Sequence, residues 1–168
     1  MQVGNGFDVH PLITLEEYKQ RYPGRSQRHL VLGGVDIEHT HLLAGHSDAD
    51  VLIHALIDAL LGAAGLGDIG ELFPDTDAQY SGIASTKLLE KTMELINSKK
   101  FKIGNIDLTI LAEKPKISPY KIKIKTNLAE ILKINLSQIN LKATTTEKLG
   151  FIGREEGIAA MAVVLLVQ

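Results

Sequence analysis

A chain of 168 residues, 45% of them hydrophobic, is long enough to bury one substantial core and sits near the usual size of a single domain. Its formal net charge of −2 gives no electrostatic footprint for nucleic acid or an anionic membrane surface, so any phosphate must be bound by local groups. Cysteine is absent, which excludes disulfides and thiolate metal sites and leaves histidine and carboxylates as metal ligands.

The opening Met1 to Gly6 lacks a charged start followed by an apolar run, and no segment has the apolar length needed to span a bilayer. The expectation is a soluble cytoplasmic protein; a mature plastid chain whose transit peptide had been removed would read the same way. Strands are expected at Gln2 to Val9 and Leu30 to Ile37, a pair able to form an antiparallel ribbon. Between them, residues 14–29 are charged around Pro23-Gly24 and read as an exposed surface insertion, with room for a helical turn, within one domain spanning 1–168. Ser47 is the expected cap, with Asp50 three residues on, of a helix carrying Val51, Leu52, Ala55, Leu56, Ala59 and Leu60 at helical spacing. Gly62, Gly65, Gly67 and Gly70 end that helix and open an acidic, turn-rich loop through Asp77. Further helices are expected at about Ser85 to Asn97 and from Pro119 to about Leu132, with strands at Ile103 to Ala112, Ile139 to Ala143 and Gly157 to Val167. The last strand is apolar on both faces, so both should be covered, by helices or by another subunit.

In Phe7-Asp8-Val9-His10 the two polar side chains are two residues apart, so an extended backbone projects both to one side and Val9 to the other. On the first long helix, His54 lies one turn from Asp50 and Asp58, either of which is placed to orient its imidazole. Two imidazoles and a carboxylate with one open position suit zinc, while manganese and iron(II) share the ligand type. The plainer reading makes Asp8 and His10 a strand end and His54 a hydrogen-bonded core histidine. His29, His39, His41 and His46 compete as ligands, and His46 alternatively meets substrate at the helix start.

Two segments suit phosphate. Lys142-Ala-Thr-Thr-Thr-Glu-Lys-Leu-Gly150 sets hydroxyls, lysines and Glu147 at a strand exit, where Glu147 can hold a hard cation; the spacing is not that of a P-loop. Ala112-Glu-Lys-Pro-Lys-Ile-Ser118 places Lys114 and Lys116 before a helix start. Ordinary strand-end threonines and a solvated basic loop are the plainer readings. The carboxylates from Asp68 to Asp77 suit polyol hydroxyls or local backbone N–H groups equally well.

Taken in order, Gly-Phe-Asp-Val-His10, Ala44-Gly-His-Ser-Asp48, Leu66-Gly-Asp-Ile-Gly70, Phe73-Pro-Asp-Thr-Asp77 and Lys142 to Phe151 strongly resemble the 2-C-methyl-D-erythritol 2,4-cyclodiphosphate synthases, across nearly the whole chain. The resemblance implies a zinc-dependent phosphorus–oxygen lyase of the non-mevalonate isoprenoid pathway that closes 4-diphosphocytidyl-2-C-methyl-D-erythritol 2-phosphate into the cyclic diphosphate and releases CMP. It implies zinc on Asp8, His10 and His54, and Mg²⁺ or Mn²⁺ between Glu147 and the substrate diphosphate. His46 and Thr145 would then stabilise the transition state. Substrate contacts would come from Asp8, Val9, His10, His46, Ser47, Asp68, Ile69, Gly70, Phe73, Pro74, Asp75, Thr76 and Asp77. Ala112, Glu113, Lys114, Pro115, Lys116, Ile117, Ser118, Thr144, Thr145, Thr146, Glu147, Phe151 and Arg154 complete that set. The implied fold is an α/β sandwich, a mixed sheet with helices on one face. Its sheets face the central channel of a homotrimer with active sites between subunits.

Phe7, Arg154 and Glu156 would face that channel, where an isoprenoid diphosphate is the implied ligand; an Arg154–Glu156 ion pair is the alternative role. Two departures stand out. Residues 14–29 are longer than in the shortest relatives, and Glu155 replaces a small residue, adding negative charge beside the supposed anion site. Two other activities share these residues: a non-catalytic isoprenoid-diphosphate binding trimer, and a metal-dependent phosphoesterase using metal-bound water.

Overall fold

The computed structural model describes every residue except Asp75. In chain order the elements are β1 (Gln2–Thr14), α1 (Leu15–Arg21), β2 (Leu30–Leu32), β3 (Val35–Ile37), β4 (His41–Leu43), α2 (Val51–Ala64), α3 (Ile69–Leu72), α4 (Ser85–Ser98), β5 (Lys102–Leu111), α5 (Lys121–Leu132), β6 (Ile139–Thr144), α6 (Gly150–Gly153) and β7 (Gly157–Val167). Five strands form one mixed sheet in the order β4-β1-β7-β5-β6, antiparallel except for the β5–β6 pair. Helices α2, α4 and α5 pack on one face, giving the expected α/β layering.

Alternation along β7 decides which face is core. Ile158, Ala160, Ala162, Val164 and Leu166 are buried beneath the helices, whereas Met161 and Val163 point away and stand 48% and 42% exposed. Phe7 and Val9 of the adjoining β1 add exposed apolar surface there. The helix-bearing face of β1 carries Gly4, Gly6, Asp8 and His10. A Cβ on Gly4 or Gly6 would lie 2.0 Å from the Ala59 or Ala55 carbonyl oxygen of α2, so only glycine lets that helix lie this close to the strand. Helix α2 itself is buried nearly all round, each fully buried leucine or isoleucine stabilising the fold by about 1.5–3 kcal/mol; its one open stripe is His54, Asp58 and Gly62.

Three local expectations are corrected. Strand β1 runs on to Thr14 and pairs with β4 and β7, not with residues 30–37. Leu30 to Ile37 instead folds on itself as the β2–β3 hairpin, because Gly33 and Gly34 both adopt positive φ, 61° and 71°, as a tight two-residue turn requires. The cap of α2 is Asp50, not Ser47: its carboxylate accepts from Ile53 N–H and from the hairpin amides of Gly33 and Gly34. Burial of that carboxyl raises its pKa, with the nearby Asp48 charge adding and the three amide bonds opposing. Residues 14–29 are not simply exposed: Thr14 and Glu17 form a capping box on α1, and Tyr18 is 1% exposed. No helix among the described residues is long and apolar enough to cross a membrane.

Candidate metal centre and phosphate-handling loops

The strand period and the close seat of α2 bring three ligand atoms together. Asp8 Oδ2 lies 3.0 Å from His10 Nε2 and 3.0 Å from His54 Nδ1, and the two ring nitrogens are 3.1 Å apart. These atoms converge as a three-ligand metal set would, and they form the group of ligating side chains found among the described residues. Burial alone would raise the Asp8 pKa, but hydrogen bonds from His10 and His54 hold its carboxyl well below the usual carboxylate range. Burial pushes the His54 imidazole down, and the hydrogen bond and charge of Asp8 outweigh it, leaving a net rise.

The outer nitrogens are also engaged. His10 Nδ1 donates to the Ala44 carbonyl at 2.9 Å, which in the neutral ring leaves Nε2 as the lone-pair atom available to a metal beside Asp8 and His54. His54 Nε2 lies 2.8 Å from Ser85 Oγ and 3.0 Å from Ser47 Oγ. Ser85 donates its hydroxyl to the Asp48 carboxylate and its amide N–H to the other Asp48 oxygen, so its oxygen is left to accept from His54 Nε2–H. In the neutral ring that bond selects the tautomer whose Nδ1 lone pair points at the cluster, as a metal would require; the protonated ring donates from Nδ1 to Asp8 instead. Neither Asp50 nor Asp58 orients His54 as the helical spacing suggested: Asp50 is the cap, and Asp58 accepts from the Ile69 amide at 2.8 Å.

A cavity of about 210 Å³ opens beside the three ligands, lined by Asp8, His10, His46, Ser47, His54, Asp58, Ile69, Gly70, Phe73, Tyr80 and Leu88. It thus gathers Asp8, His10, His46, Ser47 and Phe73 from the first, second and fourth resembling motifs, and Ile69 and Gly70 from the third. Asp68 caps α3 through the Glu71 amide, Asp77 accepts from the Gln79 amide, Pro74 is half-buried and Thr76 is exposed; Asp75 lies outside the described residues. Val9 turns its side chain to the opposite face of the sheet, as its register requires.

The two loops expected to handle phosphate sit elsewhere. Thr144 pairs with Leu111, Leu111 with Ala159 and Ala159 with Val9, so three inter-strand steps, about 14 Å, separate the threonine segment from the metal set within one chain. The Glu113 carboxylate accepts from the amides of Thr146 and Lys148, at 3.0 and 3.2 Å, and braces the turn in which Glu147 and Lys148 take positive φ. Thr145 Oγ1 donates to Glu147 at 3.1 Å. Ala112 and Ile117 bury their side chains in the core, while Lys114, Lys116 and Ser118 are exposed and Pro115 is half-buried. Phe151 sits on α6, and exposed Arg154 forms a bidentate pair with Glu156 at 2.8 and 2.9 Å. The added charge of Glu155 is taken by Lys114 at 3.0 Å.

Residues 1–167 match the YgbB family. The chain is 55% identical to the 2-C-methyl-D-erythritol 2,4-cyclodiphosphate synthase of Clostridium acetobutylicum, over 99% of this chain and 100% of that protein. The chain belongs to this synthase family. Its fold superposes on the CDP complex of Plasmodium falciparum IspF with a TM-score of 0.81 at 38% identity, over 99% of this chain and 95% of that one. Against the bifunctional IspDF of Campylobacter jejuni the TM-score is 0.88 at 45% identity, and the match covers 98% of this chain but 42% of that longer protein. Membership accounts for the order of the five motifs, but not for residues that spacing gave no reason to join. Ser85 was legible only as a helix start, 31 residues from His54; Leu88 reaches the cavity from α4, which packs against α2, and Tyr80 from the turn before it, edge-on to Phe73.

Proposed function

We propose that this chain closes 4-diphosphocytidyl-2-C-methyl-D-erythritol 2-phosphate into 2-C-methyl-D-erythritol 2,4-cyclodiphosphate and releases CMP in the cytoplasm. The observation that carries the reading is the convergence of Asp8, His10 and His54 on one wall of a cavity, in a chain of the synthase family. The donor chemistry, two imidazoles and a carboxylate with oriented outer nitrogens, fits zinc. Bound there, such an ion supplies Lewis-acid polarisation of a phosphate oxygen.

In the reaction, an oxygen of the 2-phosphate forms a bond to the β-phosphorus as the bond from that phosphorus to the α,β-bridging oxygen breaks, and the electron pair leaves with CMP. No protein nucleophile is required. The work of the side chains is to fold a flexible polyanion into a ring-closing pose and balance its charge. His46 and Ser47 line the wall beside the ligands, while Ile69, Gly70 and Phe73 shape the space for the erythritol portion. Thr145, a Mg²⁺ or Mn²⁺ ion on Glu147, and residues 112–118 handle the diphosphate and cytidine. Because these groups lie about 14 Å from the metal set in one chain, the complete site combines two subunits. The exposed apolar face formed by Phe7, Val9, Met161 and Val163 supports a homotrimer whose sheets face inward. Arg154, already paired with Glu156, would meet an isoprenoid diphosphate in that channel only by exchanging partners.

Incubating the purified protein with this substrate and Mg²⁺ should release one CMP per cyclic diphosphate, read by ³¹P NMR. Absence of CMP overturns the proposal, and a linear phosphate product would replace it with metal-dependent hydrolysis.

A further inference from the structure

Four successive carbonyls, from Gly45 to Asp48, are held by two side chains of the 14–29 segment. Arg25 Nη1 donates to the carbonyls of Gly45 at 2.7 Å and Ser47 at 2.9 Å, and its Nη2 donates to that of His46. Gln27 Nε2 donates to the Asp48 carbonyl at 3.1 Å. Three consecutive carbonyls turned toward one point bring the negative ends of their dipoles together, an arrangement that needs a cation at the focus. The planar guanidinium fork supplies both the charge and several divergent donors.

This grip is itself supported from the core. The Arg25 guanidinium lies over the Tyr22 ring, 4.6 Å from its centroid, and the Tyr22 amide donates to the Tyr18 carbonyl at 2.9 Å. Buried Tyr18 in turn donates its hydroxyl to Gln27 at 3.1 Å. A segment that reads as a surface insertion is therefore built as a brace. What it braces is the stretch bearing His46 and Ser47, which line the metal cavity and of which Ser47 lies 3.0 Å from His54 Nε2.

We propose that Arg25 is a positioning residue, which fixes the backbone from Gly45 to Ser47 so that His46 and Ser47 stand correctly in the cavity. The inference rests on the cyclisation assigned above, because it gives His46 its role. Arg25 touches neither the ligand cluster nor the cavity; it acts through the loop. A displacement of about 1 Å at a reacting centre costs on the order of 10²-fold in rate.

The test compares wild-type protein with Arg25→Ala and Arg25→Lys in the full chain. Arg25→Ala should lower kcat by about 10²-fold with KM changed far less and bound zinc retained, since the loop positions a transition-state contact and not the metal ligands. Added ethylguanidinium should restore at least about tenfold of the lost kcat, and Arg25→Lys should fall between the two, because an ammonium keeps the charge but loses the planar fork. Histidine-labelled protein gives a readout independent of turnover: Arg25→Ala should shift the His46 ring resonances while those of His39 and His41 stay in place. Wild-type kcat together with unmoved His46 resonances in Arg25→Ala overturns the inference. So does a loss of kcat that neither ethylguanidinium nor Arg25→Lys recovers. If Arg25→Ala fails to fold, Arg25→Lys decides alone: wild-type kcat and unmoved His46 resonances overturn the inference, while a lowered kcat with shifted His46 supports it. Should the wild type release no CMP, the cyclisation reading fails, and the His46 resonances still report on the brace.

Discussion

The metal end and the threonine end of this sheet are made in opposite ways. At the metal end, Asp8 and His10 share one face of a strand against which α2 is pressed at two glycines, so three ligands and their hydrogen-bond partners are assembled within a single chain. At the threonine end, residues 144–148 form a mostly exposed turn held mainly by Glu113 and by the hydroxyls of Thr145 and Thr146. The difference teaches that one end is set by burial against a helix and the other by hydrogen bonds at the surface. Burial fixes the Asp8, His10 and His54 cluster through packing, whereas carboxylate–amide bonds hold the polar loop in an exposed turn.

The largest expected effect breaks the metal end alone. Replacing His54 by Ala should abolish zinc binding, read by metal analysis, and lower CMP release by roughly 10³-fold or more, since the ion supplies several kcal/mol of charge stabilisation. Assembly, measured by light scattering, should persist, because His54 lies on the face of the sheet opposite the exposed apolar patch. Loss of the oligomer would make the site structural.

Glu113→Ala is the matching change at the other end. It leaves the Thr146 and Lys148 amides without their carboxylate and should raise KM for the nucleotide substrate by about tenfold to a hundredfold, the worth of one or two charge-assisted hydrogen bonds. Zinc content should not change. A drop in zinc would show the two ends to be coupled.

Ser85→Ala sharpens the comparison from within the metal end. Losing the acceptor that fixes the His54 tautomer should weaken zinc affinity by about tenfold in a chelator competition, with the fold intact. Unchanged affinity would assign the tautomer to Ser47 instead.

The smallest effect belongs to a cap remote from both ends. The Thr14 backbone N–H, followed by its hydroxyl, holds the Glu17 carboxyl below its ordinary value. A depressed folded pKa contributes stability above the unfolded value of about 4.3, and this is lost as the pH falls through the folded one. Glu17→Gln should therefore lower Tm by at most about 2 °C at pH 7, with the loss shrinking as the pH falls below the unfolded value. An equal loss throughout would mean that the cap does not depend on the charge.

Much of this was open to reading along the chain. The two-residue spacing of Asp8 and His10 and the helix bearing His54 made a shared metal site one of two readings, and the order of the five motifs pointed to the family. The ribbon expected between residues 2–9 and 30–37 failed because the Gly33-Gly34 turn makes the second segment its own partner. Ser47 was expected to cap α2 from its spacing to Asp50. The cap is Asp50, since only that carboxylate is buried where it can meet the hairpin amides as well as the helix start.

By itself, then, the sequence determined what alternation and residue chemistry can carry: which face of each strand is apolar, which side chains can ligate a metal, and which family the chain resembles. Tertiary structure alone decided that Ser85 and Asp48 orient His54, that Glu113 braces the threonine turn, and that Arg25 grips the loop of His46. These contacts join residues 20 to 37 positions apart by hydrogen bonds between loops and element ends. Such bonds follow from where packed elements bring their ends, and no local period records that.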